Sequence, residues 1–187
     1  QMANNIRGCP ERKHILARSQ GYHGSTYLSS SVSGKERDKS AMDTEQDLVH
    51  FLSAPHLGGD LAGRSETEFC DFLIEELEAT IADVGPENIM CMIAEPVLGS
   101  GGVIVPPADY NARCAAVVRS YGILYIADEV VTGFGRLGHW FASEPVFGVV
   151  PDMIIFAKGV TSGYLPLGGF VVSEGLLNQV SGPAANG

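Results

Sequence analysis

Ile123-Leu124-Tyr125-Ile126-Ala127-Asp128-Glu129-Val130 and, further on, Pro151-Asp152-Met153-Ile154-Ile155-Phe156-Ala157-Lys158-Gly159 decide how this chain folds. Each holds a short apolar run of strand length that Gly or Pro bounds on at least one side. The apolar character is continuous rather than alternating, which fits strands covered on both faces, as in a parallel sheet. Each run ends in a charge, Asp128 on the first and Lys158 on the second. In open α/β sheets ligands bind just beyond the carboxyl ends of the strands. Two neighbouring parallel strands would therefore deliver a carboxylate and an amine to one rim of one sheet. Taken singly, Asp128 reads as a strand-end residue capping the next turn, and Lys158 as an ordinary surface lysine.

The block from Ile126 to Gly163 resembles the signature of the class III (omega-type) pyridoxal-phosphate aminotransferases. The matching pieces are the apolar run into Asp128-Glu129-Val130, the turn Gly133-Phe134-Gly135-Arg136, Asp152 opening the next strand, and Ala157-Lys158-Gly159 followed by Ser162-Gly163. The pattern is long and gapped with fixed chemistry at both ends, so it is specific, and the resemblance reaches upstream to about Gln20. It implies the fold type I architecture: three layers, α/β/α, around a mostly parallel sheet. It also implies that residues 1–187 are an incomplete large, cofactor-binding domain, with an N-terminal segment and a C-terminal small domain lying outside them. The opening on Gln1 and the stop at Gly187 support the same expectation, a fragment from the middle of a longer protein.

The resemblance assigns roles residue by residue. Lys158 is the catalytic residue, whose amine condenses with the aldehyde of pyridoxal 5'-phosphate. Asp128 keeps the pyridine nitrogen protonated, so that the ring can accept electrons. The motif Gly21-Tyr22-His23-Gly24 puts Tyr22 against one face of the ring with His23 beside it, and Val130 on the opposite face. Glu95-Pro96, followed by Gly99-Ser100-Gly101-Gly102, also matches. Glu95 would order the wall of the site, though a strand-end carboxylate bonded to loop amides explains it equally. Val131 stands where many aminobutyrate and ornithine relatives carry Gln, which tilts the reading toward the omega-amine branch. The implied reaction moves an amino group from an amine or amino acid to a 2-oxo acid. An aminomutase, racemase or decarboxylase on the same scaffold is the near alternative. In relatives the phosphate loop precedes this segment, while the substrate-carboxylate contacts and a partner-subunit threonine follow it. A homodimer is therefore expected for the full-length protein, and poor cofactor binding for the segment alone.

Composition bounds the rest. The chain has 187 residues, 45% hydrophobic and 18% charged, enough for one domain with a real core. A net charge of -10 argues against a nucleic-acid partner, since phosphate binding needs basic patches. The four cysteines are far apart and the five histidines miss metal-ligand spacings, so free thiols and no metal are expected. No apolar run is long enough to span a membrane. No leader is recognisable at the start, which makes the cytoplasm the default expectation, or mitochondria in a eukaryote.

Along the chain, residues 1–13 are polar and basic without clear periodicity, and His14–Arg18 reads as a strand. Ser25–Ser33 suggests the start of a helix capped by Ser25 or Thr26. Gly34 to about Leu61 reads as loop. Ser65-Glu66-Thr67-Glu68 is a capping box opening a helix whose apolar face is Phe69, Phe72, Leu73, Leu77 and Ile81, stopped by Gly85-Pro86. Ile89–Ala94 is a buried strand, and Asp109–Tyr121 a helix with Ala112, Ala115, Ala116 and Val117 inward. Gly169–Val172 is a further strand. Apolar residues running into Asp128-Glu129 also resemble the magnesium strand of a nucleotide triphosphatase. The phosphate loop that reading needs is missing, because the only Gly-Lys, Gly34-Lys35, has Ser29 and Glu36 at the other key positions.

Overall fold

The computed structural model describes residues 2–56 and 63–181. Its centre is a six-stranded sheet in the order β2-β1-β3-β4-β5-β6. The strands are β1 (His14–Arg18), β2 (Val49–Leu52), β3 (Ile89–Ala94), β4 (Leu124–Asp128), β5 (Met153–Phe156) and β6 (Gly169–Val172). β1 to β5 are all parallel, and β6 closes the far side antiparallel to β5. The continuous apolar runs of β1, β3, β4 and β5 are thereby explained, because both faces of these strands carry side chains into a core.

One face packs on α4 (Glu66–Val84) and α5 (Tyr110–Ser120). Leu16, Met92, Ala94, Tyr125 and Ala127 meet Phe69, Leu73, Leu77 and Ile81 from α4, and Tyr110, Cys114 and Val118 from α5. The alternate strand residues Ala17, Ile93, Ile126 and Ile155 form a second cluster on the other face, with Val32. Val32 caps the end of α2 (Tyr27–Ser31), a helix that Thr26 opens. α4 starts where the sequence places it: Ser65 Oγ accepts from the Glu68 amide at 3.2 Å, and Glu68 accepts from the Ser65 amide at 2.9 Å. Gly85 ends it at φ 83°.

Several expectations are corrected. Within the stretch read as loop lie α3 (Glu36–Lys39) and β2, the edge strand; residues 57–62 of that stretch lie outside the described residues. β2 is only four residues long and half exposed, so its pattern is weak. A short helix α1 (Met2–Ile6) occupies the stretch without periodicity. In α5 the buried positions are Tyr110, Asn111, Cys114, Ala115 and Val118, while Ala116 is exposed. The stripe follows three- and four-residue steps, and Ala116 lies two residues from both Cys114 and Val118, off that face. Two short helices, α6 (Ser143–Phe147) and α7 (Glu174–Ser181), complete the described chain.

His14 on β1 and His50 on the edge strand meet, with Nδ1 and Nε2 2.8 Å apart and ring centroids 5.0 Å apart. Burial first, and His14 second, hold the His50 pKa below its ordinary value, against an opposing pull from Asp83. The unfolded chain therefore binds a proton that folded His50 resists. Stability is expected to fall as pH drops below about 6.5, and His50→Phe should flatten that part of the curve. Thermal midpoints of both proteins across the acidic range check this; identical slopes would contradict it.

Candidate active site

Parallel strands bring their carboxyl ends to one rim. Going from β1 to β2 the chain moves outward, and from β2 to β3 it crosses back to the other side of β1. That reversal opens a crevice between the ends of β1 and β3. A cavity of about 600 Å³ lies here, and its lining includes Tyr22, His23, Glu95, Asp128, Val130 and Lys158. All six residues singled out in the sequence thus line the same cavity, from four different strand ends.

Beyond β1 the chain turns through Gly21 to Gly24. Gly24 has φ 121°, and a Cβ there would stand 2.8 Å from Ser29 Oγ, so a side chain is doubly disfavoured. Tyr22 is 37% exposed and lines the cavity, so its ring is available to a bound group. The Tyr22 amide donates to Glu95 Oε1 at 2.9 Å, and the Gly99 amide donates to Glu95 Oε2, also at 2.9 Å. Glu95 therefore ties the loop after β1 to the loop after β3. Burial pushes its carboxyl above the ordinary range, while the two amide bonds pull it back.

Asp128 ends β4 and is 4% exposed. Its Oδ2 lies 2.7 Å from His23 Nδ1, and its Oδ1 accepts from the Val130 amide at 3.1 Å. An ionised carboxylate has about four acceptor positions, and Asp128 uses two among the described residues. Acceptor capacity is left at a buried anion on a cavity wall, which suits a cationic N–H donor such as a protonated ring nitrogen.

Lys158 follows β5. Ala157 is extended, Lys158 turns into the left-handed region at φ 46°, and a 3₁₀ turn (Lys158–Thr161) begins. A non-glycine residue held there is uncommon and is found preferentially at functional positions. Lys158 is exposed, and no hydrogen bond or ion pair among the described residues engages its amine. Behind it, Phe134 packs edge-on to Phe141 and Phe156, each at 5.5 Å. Gly159 is required by this closeness, since a Cβ would sit 2.8 Å from Phe134 Cβ. An acid, an amine and a free aromatic face around one cavity form a donor set that fits a pyridine ring carrying an aldehyde.

Glu129, one residue past Asp128, is fully buried and turned to other work. Its Oε2 accepts from Thr132 Oγ1 at 3.0 Å and the Ala142 amide at 2.7 Å. Its Oε1 accepts from the Ser143 amide at 2.8 Å and Ser143 Oγ at 2.6 Å. It anchors the 132–143 loop, and so cannot serve the magnesium role the nucleotide-triphosphatase reading asked of it. Ile155 and Arg136 also line the cavity, without having been assigned a place there from sequence. Ile155 was within reach, because Asp128 pairs with it across β4 and β5 and paired residues share a face. Arg136 sits in an irregular loop, and no spacing rule places it.

The family model for class-III aminotransferases matches residues 1–186. Vanillin aminotransferase of Capsicum frutescens is 44% identical over 172 residues, which are 91% of this chain and 37% of that protein. A rice protein (Oryza sativa subsp. indica), named probable gamma-aminobutyrate transaminase 2, mitochondrial, is 44% identical over 95% of this chain and 36% of its own length. Among solved structures, the (S)-enantioselective omega-transaminase of Thermomicrobium roseum superposes with a TM-score of 0.91 at 42% identity, over 96% of this chain and 41% of that one. The Pseudomonas jessenii omega transaminase in complex with PMP gives 0.89 at 40% identity, over 96% of this chain and 40% of that one. The chain belongs to the class III aminotransferases, whose cofactor is pyridoxal 5'-phosphate, and has their fold. It spans 37% of the length of the pepper enzyme.

Removing Glu129 would strand four buried donors. Glu129→Ala is expected to cost about 3–5 kcal/mol, read by denaturant unfolding. A loss under about 1 kcal/mol would mean the loop is held by other contacts.

Proposed function

We propose that the whole protein is an aminotransferase that passes an amino group from an amine or amino acid to a 2-oxo acid, and that residues 1–187 form most of its cofactor-binding domain. The observation that carries this reading is the convergence of Asp128, His23, Tyr22, Glu95, Val130 and Lys158 on one cavity. Bound pyridoxal 5'-phosphate supplies a ring that accepts electron density from the carbon being deprotonated.

The chain's own residues do the rest. Lys158 Nζ would hold the cofactor covalently and, as a free amine, would remove the proton from the donor carbon and in the second half-reaction deliver one to the acceptor carbon. Positioned proton transfer of this sort is worth on the order of 10²–10⁴ in rate. Asp128, desolvated and bonded to His23, would hold positive charge on the ring nitrogen, and fixed charge of this kind needs no reorganisation during reaction. Tyr22 offers its exposed face for stacking, Val130 closes the other side, and Glu95 holds the Tyr22 and Gly99 backbones in place.

The names of the relatives favour transfer over racemisation, aminomutation or decarboxylation, which would use the same six residues. Val131 lines the cavity beside Val130, which keeps the omega-amine branch preferred. Pocket discrimination by one methylene is worth only about 1–3 kcal/mol, so the donor is best found by an amine panel with pyruvate as acceptor. A homodimer is proposed on the family resemblance, with the exposed Trp140, Tyr164 and Phe170 as apolar surface that a partner would cover. No described helix is long and apolar enough to cross a membrane. The cytoplasm is the proposed location, with mitochondria the alternative.

In the full-length protein, Lys158→Ala is expected to abolish the visible absorbance of the bound cofactor. A retained band would overturn the assignment. Asp128→Asn should keep some cofactor but lower the transamination rate by about 10²–10³; an unchanged steady-state rate would show the carboxylate to be misassigned.

A further inference from the structure

Arg18 is the largest of the fully buried side chains, at 1% exposure, and it belongs to none of the cavity residues. It closes β1 on the same face as Leu16, under α5 and away from the cavity. No carboxylate pairs with it among the described residues, and its Nε–H has no partner there. An interior guanidinium without a counter-carboxylate is a poor device for stability. Its cost needs another explanation.

What it holds is the stretch that carries Glu95. Arg18 donates from Nη1 to the Glu95 carbonyl at 3.1 Å and from Nη2 to Asn111 Oδ1 at 2.8 Å. Asn111, equally buried on α5, donates from Nδ2 to the Pro96 carbonyl at 3.0 Å. Two consecutive carbonyls, just past the last ladder pair of β3 at Ala94, are thus gripped from behind the sheet. Tyr110 backs the clamp, its ring centroid 4.7 Å from the guanidinium carbon. The Arg18 carbonyl also accepts from the Gly21 amide at 3.1 Å, at the start of the turn that presents Tyr22. One residue therefore fixes both loops that the Glu95 carboxylate then ties together.

We propose that Arg18, with Asn111, is a positioning pair that sets the Tyr22–Glu95 wall of the cavity from the opposite face of the sheet. This rests on the aminotransferase reading for its consequence in cofactor binding, but not for its geometry. Glu95 can clasp the Tyr22 and Gly99 amides only while its own backbone is pinned. Releasing the Pro96 end should loosen that clasp and leave the strand ladder intact.

Asn111→Ala and Arg18→Met in the full-length protein test this by hydrogen–deuterium exchange together with cofactor titration. The Asn111 variant keeps the cation and decides the matter should the Arg18 variant fail to fold. Exchange at the Tyr22 and Gly99 amides is expected to rise about tenfold, the factor one hydrogen bond of ordinary net strength supplies. Met92, inside β3, should keep its protection, and the pyridoxal 5'-phosphate dissociation constant should rise by a similar factor. Unchanged protection at Tyr22 and Gly99, or a loss shared equally by Met92, would overturn the proposal. A wild-type protein that binds no cofactor would instead defeat the functional reading, while the exchange pattern still decides this one.

Discussion

The parallel register between β4 and β5 is the constraint on which the site depends. Asp128 pairs with Ile155, so the end of β4 lies beside a strand whose chain emerges three residues later as Lys158. Asp152 secures that register at the other end. Its carboxylate accepts from the Tyr125 amide at 2.8 Å, its own amide donates to the Tyr125 carbonyl, and its carbonyl accepts from Ser173 on the antiparallel side. A slip of one residue in β4 would turn Asp128 to the α4–α5 face, the face that Tyr125 and Ala127 now occupy. The whole separation of acid from amine follows from strand pairing, before any cofactor is considered.

Three carboxylates stand close to this rim, and their partners sort them. Glu129 accepts four hydrogen bonds and has nothing left to offer. Glu95 spends one oxygen on each of two amides from different loops, which makes it a tie. Asp128 has one amide and one imidazole, and keeps capacity on the cavity side. Position in the sequence alone would not separate them, since two are adjacent and all three follow apolar strands. The count of donors does, because a buried anion is inert where it is saturated and available where it is not.

β1, β3, β4 and β5 were legible because their short apolar runs send side chains into both clusters, and α4 because its capping box and apolar spacing agree. What escaped notice was short or at an edge. Four-residue β2 has its apolar pattern interrupted by His50, and α1 is a single turn and a half of mixed residues. The six candidate cavity residues were found through their position at strand ends together with a family pattern; periodicity alone would have yielded only Asp128 and Lys158. Arg18 was invisible for a physical reason. A cation ending an apolar strand reads as exposed, and only the side chains of α5, ninety residues on in the chain, give it an interior.

Borohydride reduction of the full-length protein loaded with pyridoxal 5'-phosphate, followed by peptide mapping, tests the pairing of Asp128 and Lys158 most directly. A pyridoxyl group fixed on Lys158 is the expected result, with its yield cut by replacing Asp128. A label on any other lysine, or equal labelling whatever stands at position 128, would contradict it.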